Sequence, residues 1–281
     1  MPDPSRHEPS DHPPTGSIET PNLWSGDRYT VRAIVREALW RAYGAGAGCQ
    51  RPPRSFPVPC LDGDEERALH LTTGDAVNSH QWDARYGGDE LVWTSTPNQF
   101  LVAEVVGLPA GRAVDLACGE GRNSIWLAEQ GWEVTGVDFS PVGLAKAKRF
   151  ADRWGVEVTW IESAIEDWTP SPDGYDLVAM LYLQLPQAAR SAALSAAASA
   201  VAPGGTLVVI AHDVDNLTRG FGGPPNPDVL YRVSDVTDAA VEAGLTVERA
   251  EQATRVVDTD DGPREAIDTV VRALNPRQRV Q

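Results

Sequence analysis

From about residue 80 onward, short apolar runs alternate with segments whose apolar residues recur every three or four positions, and turn-forming residues punctuate the two. That change of period predicts a βαβα chain. Residues 97–106 read as a lead-in helix. Residues 113–117 form a first strand containing Asp115, followed at once by Gly119 and Gly121, a helix to Gln130 and Gly131 as its stop. Residues 133–137 make the second strand. Ser140 then offers an N-cap and Pro141 a first helical residue for a helix to about Trp154, with Leu144, Ala147, Ala151 and Trp154 on its apolar face. Residues 156–161 and 175–181 are the third and fourth strands. The Ala-rich residues 187–202 form a helix, stopped by Pro203-Gly204-Gly205 before a fifth strand over 206–211. A helix over 235–243, stopped by Gly244, precedes two last strands at 245–257 and 266–273. The stretch 258–263 between them has turn composition and no room for a helix, so these two pair antiparallel. Five crossover strands closed by an antiparallel pair differ from a dinucleotide fold, whose sixth strand is parallel.

Residues 1–75 break the pattern. They hold ten of the 22 prolines, with Ser, Asp, His and Gly filling most of the first part. Such a stretch cannot repay its ordering entropy by burial and is expected to be a largely disordered extension ahead of a single domain at 76–281. Within it, residues 27–43 place Val31, Ile34, Val35, Ala38 and Leu39 at helical spacing among Arg28, Arg32, Arg36 and Arg41, a marginal basic amphipathic helix. The extension is expected to be dispensable for ligand binding. With Met1 and Met180 the only methionines, a start at Leu71 or Val77 would open just ahead of the domain.

Net charge is −16, of which −3 falls on residues 1–75 and −13 on the rest. A body that acidic repels phosphate, so nucleic acid is not an expected partner. No run of about 18 apolar residues exists to span a bilayer, and the N-terminus lacks the apolar segment of a signal peptide. Cys49, Cys60 and Cys118 are too few and scattered for a disulfide framework, and Cys49, Cys60 and His70 match no metal-ligand spacing. A cytoplasmic chain without a metal is the expectation.

The stretch Val114-Asp-Leu-Ala-Cys-Gly-Glu-Gly-Arg-Asn123 sits where the first strand turns into a helix. Gly119 and Gly121 permit tight turning and close backbone approach, and the helix beyond offers free N–H groups. Gly121 is read as needed for close ligand approach, so that a Val there would block binding and spare folding. Asp138 closes the second strand, where a carboxylate can accept both hydroxyls of a ribose. The pattern therefore predicts a nucleoside pocket. NAD or S-adenosylmethionine would suit it, and two residues choose between them: Ser124 stands where a dinucleotide site wants Gly or Ala, and Asp115 suits an α-amino group and a sulfonium better than a pyrophosphate.

Here the chain resembles the class I S-adenosylmethionine-dependent methyltransferases, in particular the small tellurite-resistance and thiopurine methyltransferases. The carriers are Trp82-Asp-Ala-Arg-Tyr86, Asp115-Leu-Ala-Cys-Gly-Glu-Gly-Arg-Asn123, Val137-Asp-Phe-Ser140, Asp176-Leu-Val178, Pro203-Gly-Gly205 and Asp268-Thr-Val-Val-Arg272, spread over about residues 80–275. The resemblance implies an α/β fold, a Rossmann-like three-layer sandwich with a seven-stranded, mostly parallel sheet and an antiparallel last strand. It implies S-adenosylmethionine across the carboxyl ends of the first four strands. Asp115, Ala117, Gly119 and Gly121 would surround the methionine part, with Arg122 and Asn123 capping the loop. Asp138 would hold the ribose, Phe139 flank the adenine, Ile165 N–H serve the ring, Leu181 sit at the end of the fourth strand and Tyr86 reach in from the N-terminal side. Three positions depart from the family pattern: Ala117 replaces a first glycine, Ala164 an Asp that accepts from the adenine amino group, and Gln184 a frequent His.

The expected reaction is methyl transfer to a small-molecule acceptor by in-line displacement, which asks for alignment and exclusion of water. A soft S, Se or Te nucleophile needs no base. A small N or O nucleophile does, and His212 with Asp213, past the fifth strand, is the catalytic pair expected to supply it. Trp82 and Trp93 are candidates to line the acceptor pocket, whereas Trp126, Trp132, Trp154 and Trp160 read as packing. The Gly- and Pro-rich residues 218–231 read as a mobile acceptor lid. The rival readings are an NAD-dependent oxidoreductase and a non-catalytic S-adenosylmethionine-binding protein.

Overall fold

The computed structural model describes residues 79–88, 91–92, 94–259 and 261–277. The extension 1–75 with its helix 27–43, and Trp93, lie outside the described residues. Two helices lead in, α1 (Ser79–Tyr86) and α2 (Gln99–Val105). Then come β1 (Arg112–Leu116), α3 (Arg122–Glu129), β2 (Glu133–Asp138), α4 (Pro141–Trp154), β3 (Val158–Glu162), β4 (Tyr175–Leu181) and α5 (Gln187–Ser199). β5 (Val201–His212), the short α6 (Asn216–Arg219), α7 (Val233–Glu242), β6 (Thr246–Val257) and β7 (Arg264–Leu274) complete the chain. Ser140 Oγ accepts Gly143 N–H, the cap the sequence predicts, and at α2 Asn98, which the sequence placed inside the helix, is the cap, its Oδ1 accepting the N–H groups of Phe100 and Leu101.

The seven strands form one sheet in the order β3-β2-β1-β4-β5-β7-β6. β1 to β5 are parallel neighbours, and the last strand runs antiparallel to both β5 and β6, between which it lies. Period-two alternation sorts the side chains. Val114, Leu116, Val178, Met180, Leu207 and Val209 pack on one face beneath α5 and α7. Ala113, Leu177, Ala179, Val208, Ile210 and Val270 pack on the other beneath α2 and α3, giving two cores around one sheet. Among the described residues no helix is long and apolar enough to cross a membrane.

Three sequence expectations need correction. The helix expected over 187–202 ends at Ser199, and β5 already begins at Val201. Pro203-Gly204-Gly205 is an irregularity inside that strand: Val201 pairs with Tyr175 and Thr206 with Leu177. A Cβ on Gly205 would lie 2.6 Å from the Tyr175 carbonyl oxygen, so the strands can close there only around glycine. Trp154, expected on the packed face of α4, is the last residue of that helix, is 49% exposed, and lines the cavity at the carboxyl ends of the strands. Residues 218–231, expected as an acceptor lid, do not line that cavity, although Gly223 packs against His212 at its edge. The segment is pinned instead through Asn216, whose Oδ1 accepts Ile267 N–H (2.7 Å) and whose Nδ2 donates to the Gly222 carbonyl (2.6 Å).

Candidate active site

At the carboxyl ends of the central strands lies a cavity of about 600 Å³. One end is built by the turn after β1 and the tip of β2. Ala117, Cys118, Gly119, Arg122 and Asn123 line it with Asp138, Phe139 and Ile165, and Tyr86 closes it from α1. Asp138 is buried, and its two oxygens already accept Gly119 N–H (2.8 Å) and Ser140 N–H (2.9 Å). Each carboxylate oxygen keeps a second acceptor direction, so the acid can hold the turn and still receive a vicinal diol. Burial pushes the Asp138 carboxyl up from its ordinary range, against the pull of those two N–H groups.

The turn is tied down from three sides. Buried Lys146 on α4 donates to Glu120 Oε1 (3.0 Å), and Val92 N–H reaches the same carboxylate. Asp83 on α1 accepts the Ser140 hydroxyl (2.5 Å), which fixes the lead-in helix against the tip of β2. Asn123 Oδ1 accepts Asn98 N–H (2.9 Å), joining the start of α3 to that of α2. Ala117 takes the left-handed conformation (φ 58°) where the family pattern has glycine. Tyr182, just past β4, does so too (φ 53°); among the described residues these are the two non-glycine cases, and both line the cavity. Strain of this kind persists only where surroundings enforce it.

Two expected ligand residues are placed elsewhere. A Cβ on Gly121 (φ 80°) would point at Trp160 Cη2 (2.6 Å) and Ala147 Cβ (2.9 Å), and Gly121 does not line the cavity. Its glycine serves close packing of the turn on β3 and α4 rather than ligand approach. A Cβ on Gly119, by contrast, would meet the Tyr86 hydroxyl at 2.7 Å. Asp115 lies beneath the turn, fully buried, with Ser124 Oγ donating to its Oδ2 (2.6 Å); it does not line the cavity.

Burial pushes the Asp115 carboxyl up to about 6, only partly offset by the Ser124 hydrogen bond. A carboxyl whose pKa rises on folding favours the fold while protonated, and that contribution fades as pH climbs from about 4 to about 6. Asp115→Asn keeps an acceptor for Ser124 and removes the buried charge. It is expected to be stabilising relative to the parent by roughly 2 to 3 kcal/mol more at pH 8 than at pH 4. Melting curves at the two pH values check this, and a gap that does not change with pH would refute it.

The cavity's other end is built by Tyr182, Leu183, Gln184, Leu185, His212 and Arg255. The expected partnership of His212 with Asp213 is not formed. Successive strand residues face opposite sides of a sheet, and Asp213 turns to the far face, where it accepts Thr269 Oγ1 (2.7 Å) and Gln252 Nε2 (2.9 Å). His212 faces the cavity, and its cross-strand partner in β7 is Asp268, with Nδ1 3.3 Å from Oδ1. Asp268 is fully buried and also accepts the Tyr182 hydroxyl (2.9 Å) and Arg255 Nε (2.8 Å). Tyr182 in turn accepts from Asn98 Nδ2 (3.1 Å). The sequence reading missed Asp268, Tyr182 and Arg255 as site residues. An acid inside the largely apolar run 266–271 of the last strand was the available signal, since a buried charge demands partners.

A family model described as "Methyltransferase domain" matches residues 113–205. Glycine N-methyltransferase of Rattus norvegicus is 33% identical over 229 residues, covering 75% of this chain and 71% of that protein. Among solved structures, the N-methyltransferase NodS of Bradyrhizobium japonicum in complex with S-adenosyl-L-homocysteine superposes with a TM-score of 0.54 at 16% identity, over 71% of this chain and 98% of that one. TehB of Haemophilus influenzae superposes with a TM-score of 0.53 at 15% identity, over 72% of this chain and 67% of that one.

Proposed function

The chain belongs to the class I S-adenosylmethionine-dependent methyltransferases, and from that membership we propose that it moves the donor's methyl group to a small-molecule acceptor seated beside Tyr182, Gln184 and His212. S-adenosylmethionine is the donor. The residues present fit it: Asp138 has acceptor capacity for the ribose hydroxyls, Phe139 and Ile165 offer apolar surface for the adenine, and Arg122 and Asn123 stand at the start of α3 for the methionine part. When bound, it supplies an electrophilic methyl group on a positively charged sulfur. The protein's own part is to align the acceptor for in-line attack and keep water out, which the strapped lead-in segment serves.

The observation that carries this reading is a single cavity joining the glycine turn and Asp138 to the Tyr182–His212 cluster, so that donor and acceptor ends communicate directly. Family membership sets aside the NAD-dependent oxidoreductase. Titration calorimetry of the full chain with S-adenosylmethionine and S-adenosylhomocysteine tests the donor end. An assay of S-adenosylhomocysteine formation over glycine, phenols, thiols and tellurite tests transfer. Failure to bind either ligand would remove the first half of the proposal, and binding without product over the whole panel the second.

A further inference from the structure

The acceptor end carries an arrangement that discriminates among nucleophiles; its meaning rests on the methyltransferase reading, whose acceptor chemistry it narrows. Three strands and the residue after a fourth converge there: Tyr182 comes just after β4, His212 ends β5, Arg255 comes from β6 and Asp268 from β7. The two oxygens of Asp268 are used differently. Oδ2 accepts both the Tyr182 hydroxyl and Arg255 Nε. Oδ1 stands 3.3 Å from His212 Nδ1, within ion-pair distance, and neither of these two buried atoms has a hydrogen-bond partner among the described residues. A carboxylate needed only to balance Arg255 would be satisfied through Oδ2. Oδ1 is left to the imidazole.

The ring itself is held on two sides. Tyr182 lies against its face with ring centroids 4.7 Å apart. Gly223 backs the Nδ1 edge, where a Cβ would come within 3.1 Å of Cγ and 3.2 Å of Nδ1. His212 also lines the cavity, so with Nδ1 turned to Asp268 it is the opposite edge, carrying Nε2, that is available there. In an imidazole whose Nδ1–H is engaged by a carboxylate, Nε2 is the proton acceptor.

We propose that His212 takes the proton of the methyl acceptor, that Asp268 holds it as the Nδ1–H tautomer with Nε2 towards the cavity, and that the acceptor's nucleophile is therefore an O–H or N–H group. A lone pair on that oxygen or nitrogen forms the bond to the methyl carbon. The C–S bond breaks with its electron pair passing to sulfur, and the acceptor's proton goes to Nε2, giving S-adenosylhomocysteine and an imidazolium. A thiolate or telluride arrives already ionised and draws nothing from such a base. The charged and titratable groups around the ring are Asp268 from β7, Arg255 from β6 and Tyr182 after β4, with Arg122 of α3 acting on Tyr182. Burial alone would raise the Asp268 carboxyl, yet its contacts with His212, Arg255 and Tyr182 outweigh it and hold the carboxyl below its usual range, so a negative charge stands ready beside the imidazolium. Asp268 is a positioning residue; His212 is the catalytic one.

The test begins with full-length protein carrying ¹⁵N-histidine and saturated with S-adenosylhomocysteine. The chain has five histidines, and comparison with His212→Gln identifies the signal. His212 is expected as Nδ1–H with unprotonated Nε2, and as Nε2–H in Asp268→Asn, whose amide donates where the carboxylate accepted. An Nε2–H tautomer in the parent overturns the proposal, with no acceptor required. The second arm measures S-adenosylhomocysteine formation with glycine and phenol against thiophenol and tellurite. Turnover of glycine or phenol that falls about 100-fold or more in His212→Gln, with S-adenosylhomocysteine affinity retained, is the expected result. A parent that methylates thiophenol or tellurite alone, or an unchanged rate in His212→Gln, overturns it. Where no probe is turned over, the tautomer decides. Loss of S-adenosylhomocysteine binding by the parent would instead fall on the donor reading, and it is measured first.

Discussion

Replacing Asp138 by Ala is expected to lower both the melting temperature and the affinity for S-adenosylmethionine. Its carboxylate accepts two backbone N–H groups, from Gly119 and Ser140, inside a buried turn. Deleting it leaves both donors unpaired, at about 1 to 3 kcal/mol each. Asp138→Asn separates the two roles, because its remaining oxygen can keep one of those N–H groups. That variant is expected to stay folded and to bind the donor about 10- to 100-fold more weakly, the scale of one charge-assisted hydrogen bond to the ribose. Calorimetry and thermal denaturation read the two effects. A folded Asp138→Asn with parental affinity would remove Asp138 from the ribose, whereas an Asp138→Ala that melts with the parent would show that the turn does not depend on it.

Gly121→Val is expected to cost the fold itself. The residue sits at φ 80°, which a β-branched side chain adopts at about 1 to 2 kcal/mol, and its Cβ would overlap Trp160 and Ala147. Overpacking of that kind adds about 1 to 3 kcal/mol, so roughly 2 to 5 kcal/mol in all. Circular dichroism melts should show a strongly lowered transition, with donor binding lost in proportion to unfolding. A variant that melts with the parent yet binds nothing would restore the ligand-approach role that the sequence suggested. Trp160→Leu in the same chain should recover part of the lost stability, since it withdraws the atom that the Cβ meets first.

The contrast between Asp138 and Gly121 marks how far a linear pattern reaches. Apart from the start of β5, strand and helix limits were legible to within a few residues because caps and stops are local: Ser140 and Pro141 open α4, and Gly131 closes the turn after α3. Asp138 was legible for the same reason, being a carboxylate at the tip of an apolar strand that comes after a glycine turn. Direction and register were not. Which way Gly121 presents its missing side chain depends on Trp160, a residue from another strand. That His212 pairs with Asp268 and not with its chain neighbour Asp213 depends on the insertion of β7 between β5 and β6, which no local composition encodes. The Gly- and Pro-rich 218–231 misled in the opposite sense: turn composition reports a lack of regular structure, and the side chain of Asn216 supplies the fixation that composition cannot display.

The terminal hairpin has a consequence for how such a protein can change. The donor end is assembled from β1, β2 and the turns after them, while the terminal hairpin lends Arg255 and Asp268 to the acceptor end. Donor handling and acceptor choice are thus written in separable stretches of chain. Substitutions in the hairpin can re-aim the imidazole or alter the charge beside it without touching the nucleoside grip, so new acceptor preferences are open to selection, or to an engineer, while the methyl supply is left in place.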